Sequence, residues 1–399
     1  MKPILPYAIR ITYHSSLIMS NESPSKKRVK DALALRVPDK IPFGEFAIDF
    51  DTVERIIGHE TYHRAKAKSQ IALWEGRRDE VVQSWKEDAV ELYRKLDILD
   101  IVTVGLAPPS DYEPDPPRKI GDGVWEDRHG RIYRYSDVTQ DITCVHDPVA
   151  EAYVPRMEEF TGEAEASAPD PSIFEVVDAV IAALGDEKYI AGPSGGEIGI
   201  VYLGGQENGM VAMIQHPDIV RAAADRELEI QNQNDQRHIR PGQDGVLWGF
   251  DFAHNTGPFI SPRMFRELFL EQNKARVENI HRVYGLPVLK HACGNNWAYM
   301  DMFIEMGYDC YQSIQASAGM DLAALKARYG GKICLWGGVP VETLVSGTPD
   351  EIRRDVRHAV ESAKEGGGYI FGSTHSIAVG TRYDNFMAML DEFAGFRDY

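Results

Sequence analysis

Cysteine is scarce in this chain, with four in 399 residues, at positions 144, 293, 310 and 334. They are too few and too scattered for a disulfide framework, so a reducing cytoplasm is the expected compartment. Long apolar runs are missing too. No stretch approaches eighteen consecutive apolar residues, which excludes a membrane-spanning helix of that kind. Basic residues number 43 against 61 acidic ones, and a formal net charge of −18 argues against a nucleic-acid phosphate backbone as the main partner. The opening "MKPILPYAIRITYHSSLI" lacks a continuous hydrophobic region and a small-residue cleavage site, and so makes a poor signal peptide. Residues 1–22 are expected to form a disordered leader, with the natural chain beginning at Met19, ahead of a single domain over 23–399. The glycine-rich "GPSGGEIG" (192–199) lacks the lysine and hydroxyl of a phosphate-binding loop. Internal repeats and coiled-coil heptads are absent as well.

What is present is an alternation. Eight short β-rich runs begin at Lys40, Asp97, Glu187, Gly245, Leu286, Tyr308, Lys332 and Gly367. Amphipathic stretches separate them, including Ser261 to Gly285, Asn296 to Gly307 and Thr348 to Gly367. Ser261-Pro262 and Thr348-Pro349 each offer an N-cap hydroxyl followed by proline at the first helical position. Strand and helix in eightfold alternation predict an α/β fold of the (β/α)8, or TIM-barrel, kind. Residues 106–165 do not fit the repeat. They contain "APPSDYEPDPP" and then "GVWEDRHGRIYRYSD", read as a β-hairpin about a His129-Gly130 turn, inserted at the barrel mouth.

In such a barrel the chemistry gathers where strands end. The ends read from the sequence offer Glu45, Asp251 with His254, His291 with Cys293, Gln312 with Gln315, and Ser373 with His375. In "LKHACGNN" (289–296) the histidine and cysteine are two apart, so on a strand they address one face. Nitrogen and thiolate together suit zinc, which keeps a position open when it is catalytic. A third ligand must come from elsewhere: His375 is the first choice, with Glu45, Asp251 or His254 as alternatives. The competing reading makes Cys293 a small buried hydrophobe and His291 a hydrogen-bonded core residue. Asp251 and His254 are expected to orient a ligand or exchange a proton. Glu45, Gln312, Gln315 and Trp336 are expected to line a substrate site, and Trp248, Phe252 and Trp297 are further aromatic candidates. Cys310 and Cys334 fall inside strands and read as core.

From about Arg28 to Met389 the chain resembles the uroporphyrinogen decarboxylase superfamily, which includes corrinoid-dependent methyltransferases. The resemblance rests on "RVKDALALRVPDKIP", "DFAHNTGPFISPRMFRELF", "LKHACGN", "GYDCYQSIQASAGMDLAALKARYGGKICLWGGV" and "GGGYIFGSTHSI" followed by "YDNFMAML". It implies the same barrel. Decarboxylases of the superfamily resemble one another in an arginine-rich stretch after the first strand, which holds substrate carboxylates. Here that stretch reads "IPFGEFAIDFDTVE", with Glu45, Asp49 and Asp51 and no arginine before Arg55, an acidic surface that would repel a polycarboxylate. The methyltransferases resemble this chain in the His-x-Cys pair and commonly add a cysteine near the last strand, where "GSTHSI" places His375. The resemblance therefore implies an O-demethylase-like methyltransferase using Zn2+, with cobalamin carried by a separate corrinoid protein. Its expected partners are that protein and a small methylated substrate, favoured as a methoxylated aromatic, with a homodimer allowed. Two alternatives stay open: a metal-free lyase acting on a small carboxylic acid, and a non-catalytic ligand-binding barrel.

Overall fold

A computed structural model describes residues 22–399, so all but the last residue of the expected leader lies outside the described residues. The strands in chain order are β1 (Ile101–Thr103), β2 (Arg118–Gly121), β3 (Val124–Glu126), β4 (Ile132–Tyr135), β5 (Ile142–His146), β6 (Tyr189–Gly192), β7 (Gly245–Trp248), β8 (Ala253–His254), β9 (Gly257–Pro258), β10 (Val288–His291), β11 (Cys310–Gln312), β12 (Cys334–Trp336) and β13 (Tyr369–Ile370). Seven of them form one parallel sheet in the order β1-β6-β7-β10-β11-β12-β13. Parallel strands covered on both faces read as continuous apolar runs. Accordingly β6, β10, β11 and β12 are buried along their whole length.

The sheet curls, and residues 42–44 join its two edges. Phe371 N–H donates to Pro42 O at 2.8 Å and Gly44 N–H to Phe371 O at 3.0 Å, while Asp100 N–H donates to Phe43 O at 2.7 Å. That segment is the run beginning at Lys40, so all eight expected strands take part in the TIM-barrel-like fold. The approach is close: a Cβ on Gly44 would stand 2.9 Å from the Trp336 ring and 3.0 Å from Ile101, so only glycine allows it. Inside the barrel, Ile101, Tyr189, Leu289, Cys310, Cys334, Trp336 and Ile370 form one buried cluster, and Cys310 and Cys334 are register neighbours within it. A larger cluster fills the space between sheet and helices.

The helices follow the capping signals. Ser261 caps Pro262–Leu268 by accepting from Met264 N, and Thr348 caps Pro349–Ala363 through a reciprocal box with Glu351. The insertion is larger than the hairpin expected of it: β2-β3-β4-β5 form a four-stranded antiparallel sheet, of which the β3–β4 pair is the expected hairpin. Trp74, on the helix Lys66–Trp74, meets Trp125 and Tyr133 at ring centroids of 5.7 and 5.9 Å. Ala67 N–H donates to Gln140 O at 3.0 Å and Lys66 Nζ to Thr139 O at 3.0 Å, which seats the insertion beside the barrel mouth. Among the described residues no helix is long and apolar enough to cross a membrane.

Candidate functional site

Three strand-end side chains converge at the carboxyl end of the sheet. Asp251 lies three residues beyond β7, His291 is the last residue of β10, and Cys293 lies two beyond it. One ligand atom from each falls within 4.8 Å of the others. Cys293 Sγ is 3.3 Å from His291 Nε2, and Asp251 Oδ1 accepts the Cys293 backbone N–H at 2.7 Å. Zinc holding sulfur at about 2.3 Å and nitrogen at about 2.0 Å in tetrahedral geometry separates them by about 3.5 Å. The observed spacing is near that value, so the donor set fits a zinc ion in chemistry and in reach.

The surroundings prepare these donors. His291 Nδ1 is hydrogen-bonded to Gln312 Oε1, which turns Nε2 towards Cys293. Burial pulls the His291 imidazole down to about 3, leaving it neutral with a free nitrogen lone pair. Burial also pushes the Cys293 thiol up to about 12, and the Asp251 charge adds to the shift. A thiol there keeps its proton at neutral pH unless a cation stands beside it. Ser313 Oγ, which donates to Thr374 O at 2.9 Å, stands 3.4 Å from Cys293 Sγ on a backbone with φ of +77°, a left-handed conformation costly for a side-chain-bearing residue.

A cavity of about 1250 Å³ adjoins the cluster at the mouth. Phe46 and His375 form the border between them. The Phe46 ring lines the cavity on one side and stacks on His291 on the other, at 3.7 Å and 10° between planes. His375 also lines the cavity, its ring centroid 6.0 Å from that of His291. Tyr62, Trp85 and Tyr93 add aromatic wall. Arg64 and Lys66 are its cations among the described residues, and both face Asp49, at 3.3 and 3.0 Å. Each has positive φ, 58° and 45°, so the loop carrying them is strained where it meets the cavity.

Several sequence expectations need correction. His375, the first choice for third ligand, is not among the three mutually close donors; Asp251, an alternative then, is. His254 lies exposed on the β8–β9 hairpin, its Nδ1 2.9 Å from Thr256 Oγ1. Glu45 is 1% exposed and bonds to Ser373, so it cannot contact a ligand. Of the three strand-one acids, Glu45 is buried and Asp49 faces Lys66, while Asp51 is half-buried and accepts Gly380 N–H at 2.7 Å. Trp336 is fully buried with Nε1–H donating to Gly44 O at 2.9 Å, and Trp248 and Phe252 are core residues too. Gln312 and Gln315 act behind the cluster: Gln312 on His291, and Gln315 through Oε1, which accepts Gly294 N–H at 2.9 Å. Gln312 Nε2 is buried without a partner. Sequence reading missed Phe46, Arg64 and Lys66. Phe46 directly follows Glu45 at the same strand end, a usable signal, whereas "YHRAK" carries none for a left-handed loop.

Comparison with known proteins accords with this architecture. The uroporphyrinogen decarboxylase family model matches residues 141–396, well over half of the chain. A uroporphyrinogen decarboxylase from Psychromonas ingrahamii is 27% identical over 139 residues, 34% of this chain and only 38% of that relative's length. Among solved structures, a methyltransferase from Methanosarcina mazei superposes with a TM-score of 0.64 at 17% identity, covering 94% of this chain and 99% of that one, a likeness of fold. By the extent of the family match, the chain belongs to the uroporphyrinogen decarboxylase family.

Proposed function

We propose that the chain is a zinc-dependent methyltransferase that moves a methyl group from a small methylated compound, favoured as a methoxylated aromatic, to the cobalt of a separate corrinoid protein docking over the barrel mouth. The observation that carries this reading is the Asp251, His291 and Cys293 donor set standing beside an aromatic-walled cavity. Those three residues would hold Zn2+, which when bound supplies Lewis acidity to the heteroatom that loses the methyl group. Cys293 gives up its proton only with such a cation beside it, and Gln312 keeps the His291 nitrogen facing the same point. Phe46 and Tyr62, in the cavity wall, would pack against an aromatic substrate. His375, on the cavity wall with its ring centroid 6.0 Å from that of His291, would exchange a proton with the departing oxygen.

A metal-free decarboxylase needs cations left over for substrate carboxylates, and here Arg64 faces Asp49 while Lys66 is shared between Asp49 and Asp141, at 3.0 and 3.3 Å, two carboxylates for two cations. That pairing favours the methyl-transfer reading. The test is incubation of zinc-loaded protein with a cobalt(I) corrinoid acceptor and a panel of methoxylated aromatics, following methyl-cobalt formation by its visible spectrum. Transfer from one of them, lost in Cys293→Ala, supports the reading. Ligand binding without transfer across the panel favours a non-catalytic barrel.

A further inference from the structure

Lys290 precedes His291 on β10 and points to the opposite face, between the sheet and its helices. Its side chain is 0% exposed. Nζ lies 2.8 Å from Glu197 and donates to Phe250 O at 2.5 Å. The Glu197 carboxylate accepts Phe250 N–H at 3.2 Å and the Tyr308 hydroxyl at 2.7 Å. One buried ion pair thus satisfies both backbone polar groups of Phe250, the residue before Asp251. β7 ends at Trp248, so these groups stand beyond that strand and depend on the pair.

Glu197 comes from the glycine-rich segment 192–199, for which no phosphate-binding role was found. That segment is itself pinned: Gly195 N–H donates to Asp235 Oδ1 at 2.9 Å, Gly196 O accepts from Arg276 Nε at 2.9 Å, and Gly199 N–H donates to Asn273 Oδ1 at 2.9 Å. Asp235 and Arg276 form a second pair at 2.5 Å, 0% exposed on both sides. Buried ion pairs are weak sources of stability compared with well-packed apolar residues of the same volume. Here, however, their hydrogen bonds hold particular backbone groups, the N–H and C=O of Phe250 among them.

We infer that the Glu197–Lys290 pair is a positioning device for the metal centre, clamping the Phe250 peptide so that the Asp251 carboxylate meets Cys293 and His291. This rests on the zinc-site reading above. The glycine-rich segment then serves as the mount that carries Glu197 behind the site.

The test measures zinc affinity by competition with a chromophoric chelator, in wild type and Asp251→Ala, each with and without the neutral replacement Glu197→Gln/Lys290→Met. Circular dichroism establishes that each variant is folded. The expected result is zinc binding weakened 10- to 100-fold or so by the neutral pair in the wild-type background, and changed less than about twofold in the Asp251→Ala background. A purely structural role would weaken both backgrounds alike, which overturns the inference, as does no change where Asp251→Ala itself weakens binding. Wild-type protein that binds no zinc overturns the metal site and the inference with it, a result distinct from the other two. If the neutral pair does not fold, Glu197→Asp, which keeps the charge but withdraws the carboxylate by one methylene, reads the same difference.

Discussion

Glu45 is a buried carboxyl with no cation among its hydrogen-bond partners, and its consequence for stability can be worked out. Burial raises it from its ordinary 4.5 to about 8, against the opposing effect of its bonds from Ser373. The bonding pattern agrees. Ser373 Oγ lies 2.5 Å from Glu45 Oε2 and also reaches His375 O, but a hydroxyl has one proton to give. If it goes to His375 O, Glu45 must donate, and hence be protonated, while its other oxygen accepts Ser373 N–H at 3.0 Å. The folded state then holds a proton that the unfolded chain releases above 4.5, so the contribution is full at low pH and is lost as pH rises towards 8. Between pH 5 and pH 8 the loss is roughly 3–4 kcal/mol. Glu45→Gln keeps an acceptor for Ser373 N and a donor for its Oγ, and does not titrate. At about 2.1 cal/mol/K per residue of unfolding entropy, the Tm of the variant should rise relative to wild type by about 4 °C over that interval. Paired calorimetric scans at the two pH values read this difference, and groups common to both proteins cancel. A gap that stays constant, or widens in favour of wild type, would refute the protonated carboxyl.

Replacing Gln312 by leucine removes the acceptor that fixes the His291 ring, so zinc affinity should fall by about 10- to 100-fold with little loss of fold, measured by chelator competition. Trp336→Ala should destabilise by roughly 3–5 kcal/mol in denaturant unfolding, as a core truncation, and Trp336→Phe should leave methyl-donor KM unchanged, since the ring is fully buried outside the cavity wall. Phe46→Ala strips the ring stacked on His291 and opens the border between cavity and cluster. Steady-state kinetics should show a raised donor KM and a lowered kcat.

The barrel was legible because parallel strands buried on both faces must be apolar throughout and are punctuated by turn residues. The insertion was under-read for the converse reason. β2, "RKIG", is exposed at every position and β5, "ITCVH", at four of five, so neither carries the alternation that marks a half-buried strand. At the site, His291 and Cys293 could be paired because strand geometry relates positions two apart. That Asp251 rather than His375 stands close to this pair was not legible, since a strand end says which loop a side chain belongs to but not which way the loop turns. The backbone after β13 is held by Ser373 on Glu45, and that contact spans 328 residues of sequence. The Glu197–Lys290 pair was hidden likewise, a lysine inside an apolar strand whose partner is 93 residues away.

The most direct measurement is the zinc content of purified protein by elemental mass spectrometry, after zinc supplementation and desalting, for wild type, Asp251→Ala, Cys293→Ala and His375→Ala. The account predicts near-stoichiometric zinc in wild type and His375→Ala, a content well below that level after desalting in Asp251→Ala, where binding is weakened, and none in Cys293→Ala. Wild type that retains none, or zinc lost in His375→Ala and kept in Asp251→Ala, would contradict it.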